Sequence, residues 1–182
     1  MTGRLFAIVG ASGAGKDTLL AGLAGQPGLH RARRTISRPA AASEDFESVT
    51  PGGFAALQAA GAFAMEWQAH GLSYGIRPAE LAPLRSGCDV VFNGSRAALA
   101  GIAARYPGLR VIEIAVSPAV LAARLALRGR ETTEEIAARL QRADLALPAG
   151  LPVCRVLNDG PPAAGIAALM AALQPDSGQD ES

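Results

Sequence analysis

The sequence is short of lysine, histidine and cysteine, and it has no excess of charge of either sign. Its 182 residues include two histidines and two cysteines, and Lys16 is the only lysine among 17 lysines and arginines. The net charge of +1 argues against nucleic acid or an anionic membrane as the main partner, because both attract proteins with a large positive excess. Affinity for phosphate must therefore come from local clusters of arginine.

The two cysteines and the apolar runs exclude further classes of protein. Cys88 and Cys154 occur without CxxC or His/Cys metal spacing, which favours a reducing compartment, and we interpret both as small apolar core residues. No apolar run reaches the roughly 20 residues that span a bilayer. The first predicted strand begins within a few residues of Met1, which leaves no room for a signal peptide. We therefore expect a cytoplasmic protein with small molecules as partners, and a homodimer is compatible with the sequence.

Residues 10–17, Gly-Ala-Ser-Gly-Ala-Gly-Lys-Asp, are the most informative motif in the chain. They follow an apolar run at 5–9 and precede a helical pattern at 18–23, the order of strand, glycine-rich turn and helix that a phosphate-binding loop requires. Backbone N–H groups and the positive end of the helix bind phosphate in such loops, and we expect Lys16 to reach the outer phosphates of a nucleoside triphosphate. A glycine-rich turn without a ligand is the alternative. The residues expected around the phosphates are Gly10, Ala11, Ser12, Gly13, Ala14, Gly15, Lys16, Asp17 and Thr18.

Apolar segments alternate with helical patterns over most of the chain, which is 49% hydrophobic and 18% charged. The alternation predicts an α/β fold with a parallel core sheet flanked by helices. Predicted strands are 5–9, 89–93, 110–116 and 153–157, and predicted helices are 16–25, 95–105, 118–128 and 162–173. Residues 34–85 interrupt the pattern as an insertion, with one short extended piece at 35–36 and helices at 54–60 and 78–84. We expect one domain over 1–174 and a disordered tail at 175–182.

Polar residues follow the predicted strand ends. Ligands of parallel sheets bind at the carboxyl ends of the strands. The glycine-rich loop, Asn93 and Asn158 each follow the end of a predicted strand, so we expect three separate segments to meet in one cleft.

The arginines cluster in segments next to these strand ends and around one turn. A planar guanidinium binds the edge of a phosphate with two hydrogen bonds, so we interpret the set as phosphate ligands. A solvated helix face is the alternative for any single arginine. The segment 128–142 is predicted to be a mobile lid that closes over phosphates and excludes water. The clustered arginines are Arg34, Arg38, Arg96, Arg124, Arg128, Arg130, Arg139 and Arg142.

These motifs resemble the guanylate kinase superfamily over nearly the full length of the chain, which implies a guanylate kinase-like P-loop kinase fold. The matching pieces are 10–16, 34–39, 71–75, 124–130 with 139–140, and 158–159. Guanylate kinases read guanine with a glutamate three residues into a Phe-Leu-Glu stretch. Alignment on Phe63 and Gly71 places Met65 there, with Glu66 one step late, and Asn93 stands where these enzymes carry an aspartate. The residues that read the base are therefore missing.

The residues at those places resemble a narrower family, the ribose 1,5-bisphosphate phosphokinases of phosphonate catabolism. The matching pieces are 15–17 (Gly-Lys-Asp), 38–39, 67–71, 93–96 (Asn-Gly-Ser-Arg) and 128–131. The resemblance implies that ATP and ribose 1,5-bisphosphate react to give 5-phosphoribosyl 1-diphosphate and ADP, with Mg²⁺ present. An acceptor phosphate is largely a dianion near neutral pH, because its second pKa is about 6, so the reaction needs no general base.

The resemblance also implies roles for individual residues. Trp67 and His70 line the ribose pocket in this interpretation, and a packed aromatic is the alternative for them. The residues expected to act on the transferred phosphoryl group are Lys16, Arg128 and Arg139. Those expected to bind ATP beyond the loop are Arg124 and Asn158, the latter beside adenine. Those expected to bind the acceptor are Arg34, Arg38, Tyr74, Asn93 and Arg96.

Asp17 stands where nucleotide kinases carry serine or threonine. A carboxylate among phosphates is repelled unless a cation lies between them. We therefore expect Asp17 to anchor Mg²⁺, directly or through water, with Thr18 assisting, since oxygen ligands suit this ion. The alternative is that Asp17 only stabilises the N-terminus of its helix.

Two other functions are alternatives on the sequence alone. A kinase acting on GMP would require Glu66 to reach guanine through a shift of one residue. A non-catalytic guanylate kinase-like scaffold is the second alternative, but such scaffolds lose the phosphate loop that this sequence keeps.

Overall fold

The computed structural model of the protein describes residues 2–40, 45–128 and 147–174. These residues form two β-sheets with helices packed around them. The strands are β1 (Leu5–Gly10), β2 (Leu29–Arg31), β3 (Arg34–Ile36), β4 (Phe46–Ser48), β5 (Met65–Ala69), β6 (Leu72–Ile76), β7 (Asp89–Asn93), β8 (Leu109–Ala115) and β9 (Val153–Leu157). The helices are α1 (Lys16–Ala21), α2 (Pro51–Ala59), α3 (Pro78–Leu81), α4 (Leu99–Arg105), α5 (Pro118–Arg128) and α6 (Pro162–Leu173).

The core sheet has five parallel strands in the order β2-β7-β1-β8-β9. Strand β1 lies in the middle, with Ile8 paired to Asn93 of β7 on one side and to Ile112 of β8 on the other. This arrangement confirms the predicted parallel sheet. It also places the end of β1, and the loop that follows, between the ends of its neighbours.

Both faces of the core sheet are buried, which explains why β1 is apolar at every position. Successive side chains of a strand point to opposite faces. Leu5, Ala7 and Val9 join a cluster that includes residues of the second sheet. Phe6 and Ile8 join a separate cluster with residues of α1 and α6. The core sheet is therefore held rigidly from both sides, and the loop after β1 starts from a fixed point.

The second sheet has four strands in the order β4-β3-β6-β5. Of these strands the sequence predicted only the extended piece at 35–36, which lies in β3. The helices expected at 54–60 and 78–84 lie close to α2 and to α3 with the 3-10 turn Ala82–Ser86 that follows it. Strands β3 and β4 have three residues each, too few to show an alternating pattern. Strands β5 and β6 are joined by His70 and Gly71, whose φ angles of 53° and 73° are those of a tight hairpin turn with two left-handed residues.

Three further expectations differ from the structure. Helix α1 ends at Ala21 and not near Gly25, and α4 begins at Leu99 after a short 3-10 turn at Arg96–Ala98. Cys154 is exposed and Cys88 is only partly buried, so the interpretation of both as core residues was wrong. Strand β9 lies at the edge of the sheet, which leaves Cys154 open to solvent.

Some predictions fall on residues that the structure does not describe. The lid at 128–142 lies outside the described residues, except for the backbone of Arg128 at the end of α5, and so does the tail at 175–182. Over residues 2–40, 45–128 and 147–174, no helix combines the length and the hydropathy needed to cross a membrane.

Candidate active site

The glycine-rich loop connects β1 to α1, as predicted. Gly10, Gly13 and Gly15 have φ angles of 149°, 94° and 88°, which L residues with a side chain rarely adopt. No side chain caps the start of α1, so the first N–H groups of this helix are left for other acceptors. The loop therefore has the backbone shape and the donors that a phosphate group requires.

Lys16 lies over this loop. Its Nζ atom donates hydrogen bonds of 2.9 Å to the carbonyl oxygens of Gly10 and of Ala11. The ammonium group is therefore held at the mouth of the loop by neutral acceptors, which a phosphate oxygen can replace with a stronger, charge-assisted partner.

One cleft of about 810 Å³ opens beside the loop. Its walls come from the loop, from β3, from the β5–β6 hairpin and from the segment after β7. Of the described residues that line it, Asp17 alone carries a carboxylate. The side chains that can carry positive charge in its lining are Lys16, Arg34, Arg38, His70 and Arg96. Such a cleft attracts anions.

Asp17 contacts two of the residues that the sequence assigned to the acceptor. Its Oδ1 atom accepts a hydrogen bond of 2.8 Å from Nδ2 of Asn93 and lies 3.4 Å from Nη2 of Arg34. Asn93 is buried at the end of β7, and its amide keeps the carboxylate in place. The predicted metal residue and the predicted acceptor residues are thus brought together.

Aromatic rings contact two of the arginines that the sequence assigned to the acceptor. The guanidinium of Arg34 lies 5.7 Å from the centre of the Tyr74 ring, and that of Arg38 lies 4.6 Å from the centre of the Phe46 ring. Contacts of this kind attract a cation to the ring face. Tyr74 is in turn stacked on Trp67, with ring centres 5.6 Å apart. Trp67 is therefore a packed aromatic and also part of the cleft lining, as is His70.

Asn158 lies in a second cavity, of about 310 Å³, on the other side of the loop. Its Nδ2 atom donates a hydrogen bond of 2.8 Å to the carbonyl of Ala14. The expected single cleft is thus two cavities that share Gly13, Gly15 and Thr18. The strand order explains the division, because the loop after β1 stands between the ends of β7 and β9.

The second cavity includes a residue that the sequence did not identify. Leu127 on α5 is 87% exposed and lines this cavity together with Arg124 and Pro162. Exposed single leucines are common on helices, so the sequence carried no signal for it. Arg124 lies in the same cavity as Asn158, as expected for two residues assigned to one ligand.

The sequence also did not identify the hydrogen-bonded group of Thr35, Glu47 and Arg77, which lies beside Arg34 in the second sheet. Glu47 on β4 accepts hydrogen bonds from Thr35 at 2.6 Å and from Nη2 of Arg77 at 2.7 Å. The hydrogen bond from Arg77, with that from Thr35, holds the pKa of Glu47 below its ordinary value of 4.5. The group ties β3, which carries Arg34, to β4 and to the end of β6.

The remaining predicted residues lie outside what the structure describes. Of the residues assigned to the transferred phosphoryl group, Arg139 falls there, as does the side chain of Arg128. Arg130 and Arg142 also fall there. Over the described ranges, no three His, Cys, Asp or Glu residues are grouped as they would be around a metal ion.

No protein-family model matches the chain. A solved structure with the same fold is the guanylate kinase of Anaplasma phagocytophilum, with a TM-score of 0.64 over 96% of this chain and 88% of that one, at 16% identity. That likeness establishes the fold, an α/β P-loop kinase fold, and nothing finer.

Curated relatives are much more similar in sequence. Ribose 1,5-bisphosphate phosphokinase PhnN of Agrobacterium fabrum is 42% identical over 182 residues, which cover 97% of this chain and 100% of the relative. The bifunctional ribose 1,5-bisphosphokinase-thymidine phosphorylase of Azorhizobium caulinodans is 46% identical over 94% of this chain, which spans only 26% of that longer protein. The match to the first relative is end to end, and this chain belongs to the ribose 1,5-bisphosphate phosphokinase family.

Proposed function

We propose that this protein transfers the γ-phosphoryl group of ATP to the 1-phosphate of ribose 1,5-bisphosphate. The products are 5-phosphoribosyl 1-diphosphate and ADP. The observation that carries the proposal beyond family membership is that Lys16, Arg34, Arg38 and Arg96 line one cleft beside the phosphate loop. Five phosphate groups meet in this reaction, and such a cleft is suited to hold them.

The donor binds along the loop. The triphosphate lies against the backbone of Gly10–Gly15, and Lys16 exchanges its carbonyl partners for phosphate oxygens. The base end lies in the second cavity, where Arg124, Leu127 and Asn158 offer a cation, an apolar surface and an amide. Because the two cavities meet at Gly13, Gly15 and Thr18, the outer phosphates point toward the acceptor.

The acceptor binds in the larger cleft through its two phosphates. Arg34, Arg38 and Arg96 hold the phosphate oxygens, and the hydroxyl of Tyr74 donates to one of them. An oxygen of the 1-phosphate attacks the γ-phosphorus, so that a new P–O bond forms and the bond to the β–γ bridging oxygen breaks. ADP leaves with that electron pair. No proton moves, so positioning and charge neutralisation carry the catalysis.

Asp17 and Thr18 are the residues that would hold Mg²⁺. The side chain of Asp17 is 55% exposed at the cleft wall, and the hydrogen bond from Asn93 is made to its Oδ1 atom. Mg²⁺ is commonly held by one or two carboxylates together with substrate phosphates and water, so these oxygen donors fit it. When bound, the ion would neutralise part of the negative charge of the ATP phosphates.

Phosphorylation of GMP is less well supported. Glu66, which follows Met65 directly in the sequence, accepts a hydrogen bond of 2.9 Å from Gln58. It is not part of the cleft lining, and Met65 beside it is buried in the core.

A substrate panel followed by phosphorus NMR tests the proposal. The protein is mixed with Mg-ATP and, separately, with ribose 1,5-bisphosphate, ribose 5-phosphate, GMP or AMP. We expect ADP and a new diphosphate signal only with ribose 1,5-bisphosphate. A preparation of Lys16→Met made in the same way excludes contaminating kinases. Phosphorylation of GMP at a comparable rate would overturn the proposal.

A further inference from the structure

Trp67 is the only tryptophan in the chain, and it occupies a flat slot in the wall of the acceptor cleft. Its ring stacks on Tyr74 with an interplanar angle of 4° and is tilted against Phe92, with ring centres 6.3 Å apart. It is 9% exposed and still reaches the cleft lining. The slot therefore has an aromatic ring on two sides and opens toward the cleft.

The surrounding face of the β5–β6 hairpin is apolar. In the strand register Met65 lies opposite Ile76, and Trp67 lies opposite Tyr74. Met65 and Ile76 are buried. The polar groups on this face are thus the indole N–H of Trp67 and the hydroxyl of Tyr74, too few to read the edge of a base.

We propose that Trp67 determines acceptor specificity by filling the slot that the base of a nucleoside monophosphate would occupy. An indole and a purine are both flat fused bicycles, and both stack well on a tyrosine ring. With Trp67 in place, a ribose phosphate reaches the arginines but a base attached to it meets the indole. The inference rests on the proposed function, since it explains how a kinase of this fold takes a sugar bisphosphate and rejects nucleotides.

The unmodified protein offers the first test. Because Trp67 is the only tryptophan, its fluorescence reports on this wall of the cleft alone. Binding of ribose 1,5-bisphosphate, without ATP, is followed by calorimetry and by tryptophan emission. We expect the emission to change in step with saturation by the sugar, and GMP to produce neither heat nor an emission change. An emission that stays constant at saturation places the sugar away from Trp67 and overturns the proposal.

Removal of the indole offers the second test. In Trp67→Ala the vacated slot should accept a base against Tyr74, so that GMP and AMP bind at least about tenfold more tightly than to the unmodified protein, a change that calorimetry resolves. Added indole should refill the slot and reverse the gain, as small aromatic molecules fill engineered apolar cavities. Phe54→Ala is the matched control, because Phe54 is a buried ring stacked on Phe63 outside the cleft lining.

The outcomes separate this proposal from the proposed function. A folded Trp67→Ala protein that gains no affinity for GMP or AMP overturns the role of Trp67, even if the unmodified protein phosphorylates ribose 1,5-bisphosphate. A gain of nucleotide binding supports it, even if that phosphorylation fails. An equal gain in Phe54→Ala also overturns it, because general loosening would then be the cause. Trp67→Leu, which leaves a smaller void, is measured in the same way and decides the question if Trp67→Ala does not fold.

Discussion

The amide of Asn93 donates a hydrogen bond of 2.8 Å to the carboxylate of Asp17, across 76 positions of sequence. The same carboxylate oxygen lies 3.4 Å from Nη2 of Arg34. One oxygen atom thus connects the first turn of α1, the end of β7 and the beginning of β3. The phosphate loop and the part of the cleft wall that carries Arg34 and Asn93 are therefore positioned relative to one another through Asp17.

Replacing the charge of Asp17 should raise the requirement for Mg²⁺. Asp17→Asn keeps a side chain of the same shape but removes the negative charge that attracts the ion. We expect the Mg²⁺ concentration for half-maximal turnover to rise about tenfold to a hundredfold, the range seen when groups around a bound metal are replaced. The measurement is a Mg²⁺ titration at saturating ATP and acceptor.

The matched control for this titration is Asp45→Asn. Asp45 pairs with Arg33 at 2.9 Å and is 66% exposed, and it is not part of the cleft lining. Its replacement should leave the Mg²⁺ concentration for half-maximal turnover unchanged. If Asp17→Asn also leaves the Mg²⁺ requirement unchanged, Asp17 stabilises only the N-terminus of α1 and does not bind the ion.

The single lysine allows a chemical test of the phosphate loop. Lys16→Met should lower kcat by about 10²–10³-fold, the usual cost of removing one group that stabilises transition-state charge. The fold should persist, because the loop carbonyls that Nζ contacts can accept hydrogen bonds from water instead. In the unmodified protein an amine-directed reagent can react only at Lys16 and the N-terminus. Peptide mass spectrometry should show that ATP protects Lys16 from the reagent. If Lys16 is labelled equally with and without ATP, it does not bind the ATP phosphates.

Gly15 should not tolerate a side chain. Its φ is 88°, and a Cβ atom there would lie 2.8 Å from Nδ2 of Asn158. Gly15→Ala should therefore destabilise the protein by about 1–3 kcal/mol, the usual cost of such a backbone conformation, and weaken ATP binding by displacing Asn158. Gly101→Ala is the control, because a Cβ atom at this helical glycine would meet no atom within 4 Å beyond its chain neighbours and the backbone of its own helix. That change should stabilise by up to about 1 kcal/mol. Urea denaturation measures the free energy of unfolding of both variants. Equal changes in Gly15→Ala and Gly101→Ala would contradict the expectation that Gly15 cannot take a side chain.

Four of the five core strands and the phosphate loop could be predicted because their signals are local, whereas β2, with three residues, was not predicted. Apolar runs bounded by turn residues gave 89–93 and 153–157 as strands, and both bounds are confirmed. Pro118, at the first position of a helix, marked where α5 begins. Of the second sheet only part of β3, at 35–36, was predicted, because strands of three residues such as β3 and β4 are too short to show an alternating pattern. Strand β5 does alternate buried and exposed residues, a local signal that the prediction did not use.

Several residues that line the cleft could be identified from the sequence, but their arrangement could not. Composition and spacing identified Lys16, Arg34 and Arg96, and all three line the same cleft. The sequence could not show that Asn158 lies across the loop from them, since this follows from the order of strands in the sheet. Nor could it show that Glu47 joins Arg77, because their contact depends on how the second sheet folds.

Shortening the reach of Arg34 should weaken acceptor binding. Arg34→Lys keeps the charge but loses the planar fork that binds a phosphate edge and stacks on Tyr74. A charge-assisted hydrogen bond contributes about 1.5–3 kcal/mol, so we expect KM for ribose 1,5-bisphosphate to rise about 10–100-fold and KM for ATP to change little. Arg33→Lys is the control, since Arg33 points to Asp45 and to the carbonyl of Phe46. A larger rise in KM for ATP than for ribose 1,5-bisphosphate would mean that Arg34 binds ATP and not the acceptor.

Glu47 should make stability depend on pH in the acid range. The hydrogen bond from Arg77 lowers the pKa of Glu47 in the folded state from its ordinary value of 4.5, so the unfolded chain binds the proton more tightly. Stability then rises with pH wherever the unfolded state holds more protons. The contribution of Glu47 is therefore fully present above about pH 4.5, and it is lost as the pH falls through the lower folded-state pKa.

Urea denaturation of Glu47→Gln between pH 3 and 7 checks this expectation, with Glu66→Gln as the control. Glu66 bonds the neutral side chain of Gln58, so its replacement removes a carboxylate without breaking an ion pair. We expect Glu47→Gln to be less stable than the unmodified protein at pH 7, and the difference to shrink as the pH falls below 4.5 toward the lowered folded-state pKa of Glu47, because protonation removes the same charge. Because the pair is more than a third exposed on the Glu47 side, solvent screening should keep the difference to about 1 kcal/mol. A difference in stability that does not shrink at all between pH 7 and pH 3 would mean that Glu47 acts through packing and not through its charge.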